Sequence, residues 1–396
     1  MLNCVWSFGS LLVALSVPVL VSGCRSVESP SQKTSVQISL ATNLLESARA
    51  EIAPDSHLSV YRLGIEPRGS QLVLTGDVDS VQARVQTLQR FKAAGIPLVD
   101  ETVVLPASGL GDATWGICNI STGAGREKPS HTAEMGTQLL MGEVVRIFKR
   151  VDDSYLSWYL VQSSDGYICW LPPENVVRCT REQADAWTSK PLLMVTQFEA
   201  QVRSEPRADS DPVCDLVLLD LVEKAGEAPG WLRIRLPDGR EGYMEAGAAQ
   251  DWRSWKASRK SSAENIERSA RQFVGRPYLW GANSPRGLDC SGFTKVVFAL
   301  NGIDLMRNAS QQARQGLEVS LGNDFADLKK GDLLFFGRRA QYGQPEKITH
   351  VGIYLGNKIF IHSADMVKIS SLDPISPNGD AKHSSRLLHA RRILSE

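Results

Sequence analysis

One cysteine in this chain stands where a helix should begin. It lies in Gly287-Leu288-Asp289-Cys290-Ser291-Gly292-Phe293. Phe293, Val296, Val297 and Leu300 follow at helical spacing. Asp289 and Ser291 flank the thiol, and either type can satisfy the free N–H groups of a first helical turn. The positive end of the helix dipole then lies beside the sulfur and favours the thiolate. Such placement can bring a cysteine pKa down to roughly 3.5–7.5. The same heptapeptide also fits an inert cysteine filling a gap between helix and sheet.

A nucleophile needs a base, and the base needs a group that orients it. Thr349 to Leu355 alternates like a strand, Gly356-Asn357 signals a turn, and Lys358 to Ser363 returns. A loop centred on Gly356 sets Leu355 opposite Asn357 and His350 opposite His362. Both rings then share one face of the sheet. A two-residue Gly-Asn loop would shift this pairing by one. Two of the six histidines thus fall on one predicted hairpin face. A lone histidine is more often structural or exposed; a pair beside a poised cysteine suggests acyl transfer.

These residues carry a family resemblance. Tyr278-Leu279-Trp280-Gly281, Asp289-Cys290-Ser291-Gly292-Phe293, Gly331-Asp332-Leu333-Leu334-Phe335-Phe336, His350-Val351-Gly352-Ile353-Tyr354 and Ile361-His362-Ser363 resemble the NlpC family. That family comprises papain-like cysteine peptidases of bacterial cell walls. The resemblance runs from about Ser262 to the end, including Ala390-Arg391-Arg392-Ile393. It implies Cys290 as nucleophile, His350 as general base and His362 as the group orienting it. It implies Tyr278 and the Cys290 backbone N–H as oxyanion donors. Asp289 and Ser291 would contact substrate backbone.

The rest of the chain must position this set. At 396 residues it should hold two to four domains. Lys+Arg and Asp+Glu both number 44, so no net field points to nucleic acid. The seven cysteines include no C-x-x-C pair, and H-E-x-x-H is absent, so the sequence offers no recognisable zinc motif. Neither metal nor organic cofactor is expected, and the chain is expected to be a monomer. Residues 1–24 read as a targeting segment. Leu11 to Val21 is short for a membrane span. Val21-Ser22-Gly23-Cys24 looks like a lipoprotein processing box with Cys24 acylated, although no Lys or Arg precedes the apolar core. Plain secretion is the alternative. Either route leads outside the cytoplasm, where disulfides are permitted. The pairing of Cys118, Cys169, Cys179 and Cys214 stays open.

Residues 25–39 read as a flexible tether and 40–106 as a small α/β unit. In that unit the pattern predicts helices over Ala41–Ile52 and Val81–Ala94, and strands over His57–Leu63, Gln71–Gly76 and Val99–Leu105. His57 is expected to be exposed. Residues 111–180 and 191–250 repeat one order of short strands with serine- or glycine-tryptophan, DG-turn and glycine-tyrosine signals. They resemble tandem bacterial SH3-type domains, with linkers at Ala184–Lys190 and Asp251–Ser262. Residues 262–396 would be the peptidase domain. The expected fold is multidomain α+β: an N-terminal α/β unit, two SH3-like β-barrels and a papain-like α+β domain.

In three-domain relatives a glutamate and a tyrosine from the first SH3-type domain bind the free amine of an N-terminal L-alanine. The resemblance assigns these places to Glu134 and Tyr167. Arg307-Asn308 matches the next substrate-binding motif, but free-amine relatives carry Asp where Asn308 stands. Either Glu134 then holds the amine alone or the specificity has shifted. The implied activity is hydrolysis of the γ-D-glutamyl–diamino acid bond of peptidoglycan stem peptides, preferably muropeptides with free L-Ala. The alternatives are an amidase or acyltransferase on the same fold, and a non-catalytic peptidoglycan-binding lipoprotein.

Overall fold

The computed structural model describes residues 30–152 and 155–394. The leader and Cys24 lie outside the described residues. No helix among the described residues is long and apolar enough to cross a membrane.

The N-terminal unit is a three-stranded sheet under two helices. Tyr61–Arg68 and Gln71–Val78 pair antiparallel. Val99–Val104 returns parallel to the second strand after the helix Val81–Ala93. That helix starts at Ser80, whose hydroxyl accepts the Ala83 N–H. Leu72, Leu74, Val78 and Phe91 close the core with Ala41 and Leu45 of the first helix. The first helix runs Pro30–Ile52, so much of the expected tether is helical. The first strand starts at Tyr61, not His57.

Two seven-stranded sheets follow, one built from strands between Trp115 and Cys179, the other from strands between Leu192 and Asp251. The expected barrels are not there. In the first sheet Val176–Cys179 and Met135–Leu140 are the two edges, and among the described residues no ladder joins them. In the second, Pro212–Val217 and Ala249–Asp251 stay apart likewise. The chain is thus α+β with several open sheets. Alternation and turn signals report strands and hairpins; closure depends on pairing between distant edges, which those signals do not encode. Both expected linkers contain helices. Arg181–Ser189 is capped by Thr180, and Trp252–Ala257 by Asp251.

The C-terminal domain sets an antiparallel six-stranded sheet against a helix. The strand order is Leu317–Val319, Leu387–Arg392, Leu333–Arg338, Lys347–Gly356, Ile359–Ser363, Val367–Ser371. Both faces are covered. Leu333, Phe335, Val351, Ile353 and Ile361 pack with Phe293, Val296 and Val297 of the helix Cys290–Ala299. Leu334, Phe336, Tyr354 and Phe360 fill a second cluster with Leu387 and Ala390. This two-sided burial explains the run Leu333-Leu334-Phe335-Phe336, which has no polar alternation.

The first seven-stranded unit docks on this domain by main-chain-like pairing. Asn283 Oδ1 accepts the Gln138 N–H at 2.7 Å, and Asn283 Nδ2 donates to the Gln138 carbonyl at 3.1 Å. Gly281, at φ +76°, lies so close that a Cβ there would meet the Met135 carbonyl at 2.0 Å. Only glycine fits both the angle and the contact.

Candidate active site

Cys290 is the first residue of its helix, and Asp289 caps it. The Asp289 carboxylate accepts the Gly292 N–H at 2.7 Å and the Gly281 N–H at 3.0 Å. Arg307 grips the same carboxylate with Nη1 at 3.1 Å and Nη2 at 2.5 Å, and Nη1 also donates to Ser291 Oγ at 3.1 Å. Asp289, Ser291 and Arg307 are all buried. The sequence pattern offered them to substrate. The structure pairs them with one another, as a clamp that fixes the cysteine turn and ties it to Gly281. Arg307 also reaches Thr137 Oγ1 at 3.2 Å, joining the clamp to the neighbouring unit.

The thiol is not poised as the helix start suggested. Burial and the Asp289 charge push its pKa up to about 12. Backbone N–H groups of Val351 and Ser291 and the Arg307 charge pull the other way without prevailing. Desolvation of a thiolate outweighs the helix dipole here. The Val351 N–H facing the sulfur sets Cys290 beside the strand of His350. Tyr278 lies near enough to feel the charges of Cys290 and Asp289. Burial first, then those charges, holds its hydroxyl protonated.

His350 and His362 come together, though not in the expected register. Ile353 pairs with Ile361 and Tyr354 with Phe360, so the ladder is offset by two from the expected pairing. The turn residues are Asn357 and Lys358, at φ 51° and 63°, with a bulge between Tyr354 and Gly356. An offset of two preserves the face. His350 Nε2 and His362 Nδ1 lie 2.8 Å apart, in a hydrogen bond. Gly352 lies against His362, and a Cβ there would meet the His362 Cβ at 3.1 Å. The far nitrogen of His362 is 3.0 Å from Ser370 Oγ. Burial pulls both histidines toward the neutral form: His350 well below its ordinary pKa, His362 down to about 3. His383 and Asp380 stand beside them, with His383 Nδ1 2.7 Å from Asp380 Oδ2.

A second corner is built from three parts of the chain. The Tyr167 hydroxyl donates to Glu127 Oε1 at 2.7 Å. His57, from the N-terminal unit, stacks on Tyr167 at 5.0 Å and brings Nε2 to 3.5 Å from Glu127 Oε2. Burial opposes charge on Glu127, but the His57 and Tyr167 contacts outweigh it and hold the carboxyl below its ordinary pKa. The Glu127 hydrogen bond in turn raises His57. A Cβ at Gly136 would touch both Glu127 and Tyr167, and Gly281 abuts Met135 and Gly136. The corner therefore reaches Cys290 through Gly281 and Asp289.

Glu134 is not in this corner. It is exposed, and its carbonyl accepts the Glu127 N–H at 2.9 Å. The two glutamates face each other across a hairpin. Asn308 is half-buried at the start of a four-residue helix; its N–H donates to Gln311 Oε1 at 3.0 Å. Gln311 Nε2 donates to Asp55 Oδ2 at 3.0 Å, so the N-terminal unit touches the domain here too. Glu127 and His383 escaped the sequence reading, and His57, expected to be exposed, is half-buried against Tyr167 and Glu127. The one signal for Glu127 was its place directly after the strand Thr122–Arg126, facing Tyr167. Cys118, Cys169, Cys179, Cys214 and Cys290 are all free thiols.

Residues 275–385 match the NlpC/P60 family, and residues 125–176 match the bacterial dipeptidyl-peptidase Sh3 domain. The chain is 27% identical over 254 residues to a gamma-D-glutamyl-L-lysine dipeptidyl-peptidase of Bacillus cereus, covering 62% of this chain and 72% of the relative. A probable endopeptidase p60 of Listeria innocua is 43% identical over 96 residues, 24% of this chain and 18% of that protein. The crystal structure of an NlpC/P60 family protein from Bacillus cereus superposes with a TM-score of 0.59 at 22% identity, covering 71% of this chain and all of that one. With a cysteine at a helix start, two hydrogen-bonded histidines on adjacent strands and the family match over residues 275–385, the C-terminal part of the chain is a cysteine peptidase domain of the NlpC/P60 family.

Proposed function

We propose that the enzyme hydrolyses the amide between γ-D-glutamate and a diamino acid in peptidoglycan stem peptides that begin with a free L-alanine. The carrying observation is the ionised Glu127 beside Tyr167, linked to the cysteine turn through Gly281. A partly buried carboxylate attracts an ammonium and penalises a blocked amine. The B. cereus relative is named for a γ-D-glutamyl-L-lysine substrate.

His350 Nε2 is engaged by His362, which leaves Nδ1 to accept the Cys290 proton. The thiolate attacks the γ-carbonyl carbon. The Cys290 N–H and the Tyr278 hydroxyl hold the oxyanion. The intermediate collapses, the leaving amine takes the proton from His350, and an acyl-enzyme remains. Water, deprotonated by His350, then releases the acid. His362 holds the base in this tautomer. The resting pair is neutral thiol and neutral imidazole, so substrate binding must accompany proton transfer. Residues 262–396 act as the catalytic unit. Residues 111–180 and 191–250 act as two SH3-type accessory units, and the first of them closes one end of the cleft. The enzyme works in the cell envelope, anchored by acylation of Cys24.

The test is incubation of the purified protein with L-Ala-γ-D-Glu-diaminopimelate and its N-acetylated form, with products read by mass spectrometry. Cleavage of the free amine alone is expected. Equal cleavage of both refutes the amine preference, and cleavage of neither refutes the substrate class. Labelled fatty acid should enter the wild-type protein and not Cys24→Ala.

A further inference from the structure

Three imidazoles meet at one spot: His350 and His362 from adjacent strands, and His383 from the short helix Ala381–Ser384. Their ring centroids lie 5.0, 4.4 and 4.9 Å apart pairwise. One ring nitrogen of each lies within 4.8 Å of those of the other two. The reaction above uses two of the three, and His383 has no part in it. Yet His383 is also held in a fixed orientation. Its Nδ1 is fixed 2.7 Å from Asp380 Oδ2, which leaves Nε2 as the donor. His362 is fixed through its Nε2 at Ser370, which leaves Nδ1. An imidazole held by a carboxylate or hydroxyl at its far nitrogen is how metal-binding histidines are fixed.

We propose that His350, His362 and His383 form a site for a divalent transition ion, zinc above all, and that its binding switches the peptidase off. An all-imidazole set suits zinc, cobalt, nickel or copper rather than magnesium or calcium. Zinc bonds of about 2.0–2.1 Å in a tetrahedron place ligand nitrogens about 3.3 Å apart. His350 Nε2 and His362 Nδ1, now 2.8 Å apart, therefore separate by about half an ångström to admit the ion. The proton they share moves to His350 Nδ1, and no proton is lost. Water completes the shell. His350 then carries hydrogen at the nitrogen that must accept the Cys290 proton, and the thiol stays protonated. The metal site stands on the geometry alone; the inhibition rests on the proposed function.

The test uses tag-free, chelator-treated full-length protein. Metal uptake is measured by equilibrium dialysis with zinc chloride and by the visible spectrum of the cobalt(II) form. One ion per chain is expected, with the intense bands of a tetrahedral cobalt site. His383→Ala should weaken binding about 100-fold, and Asp380→Asn about 10- to 100-fold. His383→Gln serves as the second variant if the alanine form does not fold. Zinc should inhibit peptide cleavage over the range in which it binds, a chelator should reverse this, and His383→Ala should resist zinc relative to its own zinc-free rate. Lack of stoichiometric uptake by the wild type overturns the site. Equal uptake and equal inhibition in the His383 variants also overturn it, because the ion would then sit on Cys290 and His350. If the peptide is not cleaved at all, the dialysis and cobalt spectra still decide the site, while the substrate reading fails separately.

Discussion

The two corners of the candidate site are built in opposite ways. At one end, Cys290, His350 and His362 come from one domain and a short stretch of chain, and burial keeps all three neutral. At the other, Glu127, Tyr167 and His57 come from separate regions, and their contacts favour charge on Glu127 and His57. The first end is suited to moving a proton between neutral partners. The second is suited to holding an ion. The difference also decides how much of each could be read from the sequence.

The largest expected effects fall at the neutral end. Cys290→Ala and His350→Ala should each lower kcat by about 10⁴-fold or more, and the double variant should be little worse than either. Single-turnover assays by mass spectrometry check this. Independent, additive losses would mean that the two do not act as a unit. Next comes the clamp between the ends. Arg307→Met leaves the Asp289 carboxylate buried without its partner, and urea unfolding should show a loss of about 3–5 kcal/mol.

The charged end should respond in binding rather than in chemistry. Glu127→Gln is expected to raise KM for the free-amine peptide about 10- to 100-fold and leave the acetylated peptide unaffected, the weight of one charged hydrogen bond. Smaller per step, but diagnostic of the neutral end, is the pH dependence of Cys290 alkylation. The thiol pKa is raised, so thiolate is scarce at pH 7 and grows as pH rises. Inactivation by iodoacetamide should climb about tenfold per pH unit up to at least pH 9. A plateau below pH 7 would instead indicate a thiolate–imidazolium pair. The least effect is expected at Glu134, where Gln should change KM by less than about twofold, as for a solvated side chain.

Local patterns were legible. The cysteine helix, the histidine hairpin and the Val81–Ala93 helix follow from periodicity and turn residues. Even the two-residue register offset left the histidines on one face, because strand parity survives it. What failed depended on distant partners. Sheet closure, the pairing of Arg307 with Asp289 and the contact of Glu127 with Tyr167 are each set by segments far apart in the chain. His57 read as exposed because its partners lie in another unit. The thiol stood open between two readings for a related reason: the dipole is visible in the sequence, whereas the burial that opposes it is not.

The most direct measurement sets wild type, Glu127→Gln and Glu134→Gln against free and N-acetylated L-Ala-γ-D-Glu-diaminopimelate and compares kcat/KM. The account predicts that only the Glu127 variant loses the preference for the free amine. Loss of the preference in the Glu134 variant, or its survival in both variants, would contradict the charged corner at Glu127.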